Sequence, residues 1–542
     1  MFKQTLRAIY NLYSWQLPQN LVVAYRDHGS SPTKFARWFL TTRTFKPQNR
    51  VYWEQDQAIV IMLMAAMTSL IVGGVWLLYW WAWHGIEGLW AFGLALILSY
   101  PLILAGAVLV AAVVKKVAWY MVRPKKFGYD VIASILESQV RALRKKHNFK
   151  IVAVGGSVGK TSTKLAIANL LGQNIRVLHQ AGNYNDRLTV PLIFFNQTKP
   201  MLFNLFAWMR IIGENTAQIA HPYAYDVVVV ELGTDGPGQM EKFAYLKPDV
   251  GVLTAITPEH MEYFKTIDAV AAEETKMFDY CKKMLINGDD IAGKYLMGRD
   301  FEEYSLITNV AHNYYAKPTS KGLDGQRLHV EFPTGKLDAN IKYVGKQGAK
   351  FAVAAAAVAD MIGISHHKIA AGLERLHAFA GRMQVLDGKK GSILIDDTYN
   401  SSPIAAKAAL DVLYSHKSSQ RIAILGSMNE LGDYSEEAHR EVGEHCNPKK
   451  LDLLVTIGMA AEKWLAPAAK NQGVNVHSFQ SPYQAGRFVE QQLKKGATVL
   501  AKGSQNGVFA EEALKDLLAR PGDSQLLVRQ SRDWLRRKAK QF

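Results

Sequence analysis

The chain has 542 residues, a formal net charge of +17 and 49% hydrophobic residues, enough for three or four folded units at roughly 100–200 residues each. Its two cysteines, Cys281 and Cys446, stand far apart and outside any metal-ligand spacing, which excludes a disulfide framework and a zinc site and fits a reducing setting. The positive balance asks for an anionic neighbour: a membrane surface, a nucleic acid or a phosphorylated substrate.

Residues 1–50 are basic and aromatic, a pattern shared by membrane-surface segments and by small folded caps. Two almost wholly apolar stretches follow, at about 57–83 and about 89–114. Each has roughly 25 residues, enough to cross a hydrocarbon core of about 30 Å. Trp76, Tyr79, Trp80, Trp81 and Trp83 cluster at one end, as an interfacial belt would. The loop His84-Gly85-Ile86-Glu87-Gly88 carries no Lys or Arg, whereas Arg37, Arg43, Lys46 and Arg50 precede the pair and Lys115, Lys116, Arg123, Lys125 and Lys126 follow it. The pattern predicts a first unit, 1–128, with a two-helix transmembrane hairpin in the inner or plasma membrane. Both termini and the catalytic domains are then cytoplasmic, with membrane lipids as partners. The start, Met1-Phe2-Lys3-Gln4, lacks a signal-peptide pattern. Two buried helices of a soluble core would show the same hydropathy.

Ile132, Ile135, Leu136, Val140 and Leu143 recur at helical spacing and predict a helix that opens a second unit, 129–380. The β-branched run Ile151-Val152-Ala153-Val154 then enters Gly155-Gly156-Ser157-Val158-Gly159-Lys160-Thr161-Ser162. Gly156 and Gly159 let backbone N–H groups approach a phosphate, and the helix that opens at Lys160 adds positive partial charge. Lys160 suits the β- and γ-phosphates and Thr161 suits Mg²⁺. Val154 stands where the generic phosphate loop has its first glycine, and an ordinary glycine turn has the same local composition. A strand at Arg176-Val177-Leu178 follows, then Tyr225 to Gly233, with Glu231 at the carboxyl end where open α/β sheets bind ligands. After the strand Val250–Thr254 comes His260, as readily structural as metal- or phosphate-facing.

In the third unit, 381–542, strands at 392–396, 421–426 and 453–458 alternate with helical segments, which predicts a doubly wound sheet. Asp397, Tyr399 and Asn400 follow a strand and suit ligand contact or a helix cap. The tail Arg532–Lys540 is basic, for lipid headgroups or for solvent.

The phosphate loop is followed, in order, by Ala181-Gly182-Asn183-Tyr184-Asn185-Asp186, Glu231-Leu232-Gly233, His260, Glu273-Glu274-Thr275-Lys276, Asn287-Gly288-Asp289-Asp290, Gly381-Arg382-Met383, Asp396-Asp397-Thr398-Tyr399-Asn400-Ser401, Gly426-Ser427-Met428-Asn429-Glu430-Leu431-Gly432 and Lys502-Gly503-Ser504. This collinear set, over roughly residues 150–520, resembles the Mur ligases, ATP-dependent amide-forming enzymes of peptidoglycan precursor synthesis. Within them it is most similar to the branch that adds D-alanyl-D-alanine. The resemblance implies an α/β chain: a P-loop central ATPase domain and a C-terminal Rossmann-like domain, with the membrane hairpin in front. It implies ATP and Mg²⁺, a carboxylate-bearing cell-envelope precursor activated as an acyl phosphate, and an amino acid or dipeptide amine that captures it, with no nucleic acid. By the same resemblance Gly156, Ser157, Gly159, Lys160, Thr161 and Ser162 cradle the nucleotide phosphates. Thr161, Glu231, His260 and a carbamylated Lys276 hold metal. Lys160, Lys276, His260 and Arg382 form the catalytic set. Asn287 touches adenine, Arg382 the γ-phosphate and Asp397 the ribose, while Asn183, Asn185, Tyr399 and Asn400 face substrate.

Two departures stand beside it. The Gly-x-His-Asn-x-x-Asn run common in the family reads Gly345-Lys346-Gln347-Gly348-Ala349-Lys350-Phe351, and the usual amino-terminal domain that grips the UDP-sugar has no recognisable counterpart. A poly-γ-glutamate-type or lipid-linked acceptor, a P-loop ATPase of membrane transport or assembly, and a scaffold that has lost ligase activity are therefore the competing readings.

Overall fold

A computed structural model of the chain describes residues 21, 36, 37, 39, 40, 105, 106, 124–180, 184–258, 260–307, 314–320 and 322–542. Two compact units divide it, Met1–Val131 and Ile132–Phe542. The two membrane spans predicted at 57–83 and 89–114 lie outside the described residues, Ala105 and Gly106 apart. Among the described residues no helix is long and apolar enough to cross a membrane. The longest, α1 (Pro124–Lys146, 23 residues), carries Arg141, Arg144, Lys145 and Lys146 and buries only one face. The cell-membrane location that hydropathy predicts is corrected accordingly: the described residues supply no spanning helix and no support for lipid partners, and the predicted hairpin itself lies outside them.

In the larger unit, α1 turns Ile132, Leu136, Val140 and Leu143 inward. Glu137 pairs with Arg187 (2.6 Å) and Arg144 with Asp249 (2.7 Å), so a polar helix is fixed at both ends of its buried stripe. Beyond it lies a nine-stranded sheet: β1 (Lys150–Gly155), β2 (Val177–His179), β3 (Val227–Glu231), β4 (Val250–Leu253), β5 (Met284–Asn287), β6 (Glu302–Ser305), β7 (Tyr314–Ser320), β8 (Gln326–Phe332) and β9 (Gly335–Ile341). Their spatial order is β2-β3-β1-β4-β5-β6-β7-β8-β9. Pairing is parallel from β2 to β7 and antiparallel for β7, β8 and β9. The central strands are buried on both faces and accordingly read as continuous Val/Ile runs, whereas β8 and β9 alternate buried and exposed residues. Helix α2 (Lys160–Gly172) follows β1, and the alanine-rich α3 (Gly345–Ile362) packs against it. Ala352, Ala354–Ala357 and Ala359 are all fully buried, and their small side chains allow the close approach.

A six-stranded sheet follows: β10 (Gln384–Asp387), β11 (Ile393–Asp397), β12 (Arg421–Gly426), β13 (Leu453–Ile457), β14 (Val476–Phe479) and β15 (Thr498–Lys502), ordered β10-β11-β15-β12-β13-β14. Only β10 runs antiparallel. Helix α4 (Pro403–Ser415) starts with proline in its first turn, where the missing N–H has no partner to lose.

Asp396, fully buried at the end of β11, ties the stretch between the two sheets to this sheet. Its carboxylate accepts from Gly381 N (3.2 Å), Thr398 N (3.1 Å) and Thr398 Oγ1 (2.6 Å). Burial pushes its pKa up from 3.8 to about 6; the Thr398 hydrogen bonds oppose the shift, and the Glu511 and Asp397 charges add to it. The folded chain thus holds a proton that the unfolded chain has released. Stability from this group is full below the unfolded pKa and is lost as pH rises through the folded one. Measured by urea unfolding against Asp396→Asn, the natural chain should lose about 2–3 kcal/mol relative to the variant between about pH 4 and about pH 7. A constant difference would show that Asp396 is ionised throughout.

Candidate functional site

The site grows from the carboxyl ends of β1, β3 and β4. Parallel register sets Glu231 beside Val154 and Leu253 beside Gly155, so the end of β3 and the turn after β1 share one edge. At Gly156 the backbone has φ 112°, and a Cβ there would stand 2.5 Å from Thr254 Oγ1 and 2.9 Å from Ala255 N; only glycine fits. Gly159, at φ 90°, caps α2 and makes no side-chain cap hydrogen bond, which leaves the first turn's N–H groups facing the loop. Thr254 Oγ1 donates within the same turn, where Gly155 O (3.0 Å) and Val158 O (2.7 Å) both lie in reach.

Two buried carboxylates hold this turn from below. Glu274, 2% exposed, accepts from Gly156 N (2.7 Å) and Thr234 Oγ1 (3.2 Å). Glu231, 4% exposed, accepts from Thr161 Oγ1 (3.2 Å) and pairs with Lys164 Nζ (3.2 Å), while Asn185 Nδ2 lies 3.5 Å away. Lys164 also acts on His179, whose pKa is lowered first by burial and then by that charge. Lys160 folds its ammonium back onto Gly156 O and Ser157 O (3.0 Å).

A cleft of about 300 Å³ opens over this floor, and the C-terminal sheet supplies its other wall. Lys160, Thr161, Asn185, Glu231 and His260 line one side; Arg382, Tyr399, Asn400, Glu430 and Lys502 line the other. His260 Nδ1 lies 3.4 Å from Glu430 Oε2 and joins the two sides. The Arg382 guanidinium stacks 4.0 Å from the centre of the Tyr399 ring, and its Nε is buried without a hydrogen-bond partner. Lys502 Nζ pairs with Asp397 Oδ2 (2.6 Å) and donates to Asn400 O (3.0 Å). A second, more apolar cavity of about 420 Å³ shares Val158, Gly159, Arg382 and Lys502 with the first and reaches Ser162 and Asp397.

The structure thus brings together most residues singled out from the sequence, and not all. Asn183 lies outside the described residues. Asn287 does not line either cavity: it is 2% exposed, gives its amide hydrogens to Thr254 O (2.8 Å) and Asp290 Oδ2 (2.7 Å), and accepts from Asp289 N. Lys276 does not line them either. Its ammonium pairs with Glu273 Oε2 at 2.7 Å, on a carboxylate that also accepts from Gly238 N, Gln239 N and Met240 N. Lys164 and Glu274 were unassigned by sequence reasoning. Lys164 stands one turn after Lys160 on α2, a spacing that puts both on one face. Glu274 had only its place beside Glu273 to mark it. Thr161 and Glu231 present hard oxygen donors that fit Mg²⁺; among the described residues no three His, Cys, Asp or Glu side chains gather as a metal-binding group.

Comparison with known proteins agrees with this geometry. The Mur ligase middle domain matches residues 154–359, and the Mur ligase glutamate ligase domain matches 381–505. A UDP-N-acetylmuramoyl-tripeptide–D-alanyl-D-alanine ligase of Bacillus subtilis is 25% identical over 398 residues, 72% of this chain and 81% of the relative. That of Haemophilus influenzae is 28% identical over 382 residues, 67% and 76% of the two chains. In fold, MurF from Acinetobacter baumannii superposes with a TM-score of 0.59 at 21% identity, over 71% of this chain and 80% of that one. The MurF ligase from Thermotoga maritima in complex with ADP gives 0.57 at 23%, over 71% and 83%. With both domain families matched in order and the phosphate loop, strand-end carboxylate and facing lobe in place, the chain belongs to the Mur ligase family.

Proposed function

We propose that this chain is an ATP-dependent ligase that joins D-alanyl-D-alanine to the terminal carboxylate of a UDP-N-acetylmuramoyl-tripeptide. One observation carries the reading: a single cleft of about 300 Å³ places a phosphate loop and its strand-end carboxylate opposite cationic and amide side chains of a second lobe. Phosphoryl transfer asks mainly for positioning and charge stabilisation, and the first side supplies both. Thr161 and Glu231 would hold Mg²⁺, which would neutralise phosphate charge when bound. Lys160 exchanges its loop carbonyls for the transferring phosphoryl group, and Arg382, held flat on Tyr399, meets the same group from the other lobe. A precursor carboxylate oxygen attacks the γ-phosphorus; the bond to the β-phosphate oxygen breaks and ADP leaves. The dipeptide amine then attacks the acyl carbon, phosphate departs and the amine gives up a proton. Glu430 and His260 would take up the incoming ammonium and accept the proton it loses before attack, with Asn185 and Asn400 on the flanks. Closure between the lobes keeps water from the acyl phosphate. Residues 129–380 would form the ATP-binding lobe and 381–542 the amine-binding lobe.

The direct test supplies ATP, Mg²⁺, UDP-N-acetylmuramoyl-tripeptide and D-alanyl-D-alanine together. ADP release and a pentapeptide product by mass spectrometry are expected, and steady ATP hydrolysis without the dipeptide would point instead to a transport-type ATPase. Lys160→Ala should lower kcat by about 10²–10³-fold with an unchanged melting curve, because it removes one preorganised charge from the transition state. Lys164→Met should cost about 3 kcal/mol in the metal-free protein by leaving Glu231 buried and unpaired. Mg²⁺ with ADP should recover part of that loss in thermal melting, and no recovery would place the metal elsewhere.

A further inference from the structure

The second cavity contains a group that the ligase reading leaves unused. Gln326 opens β8, is 4% exposed and lines this cavity. Its Nε2 donates to Tyr343 O (3.0 Å) and to Gly345 O (2.9 Å), so both amide hydrogens are spent and two carbonyls fix which way the amide faces. Both hydrogen bonds of its side chain among the described residues are made by Nε2, which leaves Oε1 open to the cavity it lines. Around it the walls are mainly apolar, with Tyr343, Phe351, Phe379 and Ile404 among them. The Tyr343 hydroxyl, on a residue of the same lining, is buried without a hydrogen-bond partner. Polar atoms left unsatisfied in an apolar setting cost free energy unless a ligand supplies their partners.

We propose that Gln326 is the specificity-determining residue for the nucleobase, its locked Oε1 accepting a hydrogen bond from an exocyclic amino group. This rests on reading the site as a nucleotide-dependent ligase and adds how the base is chosen. The cavity runs on from the phosphate loop through Val158 and Gly159, so a base joined to phosphates in the first cleft enters it. Flat aromatic and aliphatic walls hold a planar ring without telling one purine from another. A fixed acceptor does tell them apart: adenine carries an amino donor at the position where guanine and hypoxanthine carry a carbonyl acceptor. Gln326 cannot turn its amide over to suit the carbonyl without abandoning two backbone acceptors. Asn287 is not available for this task, since its amide is fully engaged away from the cavity.

Three nucleotides compared on the unmodified full chain test the idea: ATP, inosine triphosphate and the triphosphate of purine riboside, which has only hydrogen at that position. Kd is measured by calorimetry in Mg²⁺. Purine riboside triphosphate should bind about 10-fold more weakly than ATP, having lost one hydrogen bond. Inosine triphosphate should bind on the order of 100-fold more weakly, with two acceptors facing each other. Gln326→Met should bring the three within about 3-fold, weakening ATP about 10-fold and strengthening inosine triphosphate about 10-fold as the facing acceptor is removed. Equal binding of ATP and purine riboside triphosphate to the unmodified chain would overturn the assignment, and so would an ATP preference retained in a folded Gln326→Met protein. Failure of every nucleotide to bind would overturn the ligase reading itself, and this assignment with it.

Discussion

Two carboxylates sealed beneath a glycine turn are the constraint on which the rest of the site depends. The turn bends through two positive-φ glycines, a path outside helix and sheet whose backbone groups need partners from elsewhere. Glu274 supplies one partner at Gly156 N, and Glu231 fixes the first hydroxyl of α2. Burying two negative charges is costly unless each is neutralised and hydrogen-bonded. Lys164 meets the charge of Glu231, and hydroxyl and amide donors meet the remaining oxygens. The loop backbone is thereby shaped before any ligand arrives, and the Lys160 ammonium is the donor that changes partners when a phosphate enters.

The same logic explains why the second lobe faces the first across strand ends. In both sheets the parallel strands expose their carboxyl ends, where turns change direction and polar side chains escape the packed layers. Asp396 and Asp397 end β11, Lys502 ends β15, and the two strands pair in parallel with Asp397 beside Lys502. Their ion pair therefore follows from register, and it sets Asn400 through its carbonyl. Arg382 comes from the connection between the sheets, held by the Gly381 N–H on Asp396, so a residue of neither sheet is delivered to the middle of the cleft.

What could be read from the sequence divides along a physical line. The strand–glycine–helix unit, Glu231 at a strand end and the alternating architecture of the C-terminal lobe are encoded in contiguous residues, and the structure has them there. Lys164 and Glu274 were not legible, because their importance comes from what lies opposite them after folding, 67 and 118 residues away. Motif order marked Asn287 and Lys276, yet neighbours within three residues, Asp290 and Glu273, occupy their side chains. Strands β6 to β9 carry charged and polar residues throughout, and only the alternation of buried and exposed positions in β8 and β9 marks them as strands. Hydropathy, an aromatic cluster and basic flanks carried the membrane expectation, and each is a one-dimensional pattern that other apolar surroundings share.

The segment that departs from the family pattern shows how a fold keeps a cavity while changing its lining. Gly348 sits so close to Tyr343 that a Cβ would stand 2.7 Å from the tyrosine Cβ, so no asparagine could occupy that place without moving the wall. Phe351 puts its ring edge over Gly159, 3.2 Å from where a Cβ would be, and turns a polar position into an apolar lid beside the phosphate loop. Lys350 points the other way and pairs with Asp290 (2.8 Å) and Asp289 (3.4 Å), which fastens the start of α3 to the end of β5 and holds the carboxylate that engages Asn287. Glycine and phenylalanine make this wall apolar and lysine keeps the acidic pair outside it, so the polar group that β8 adds to the lining is its first residue, a glutamine that the same turn, Tyr343 to Gly345, locks in place.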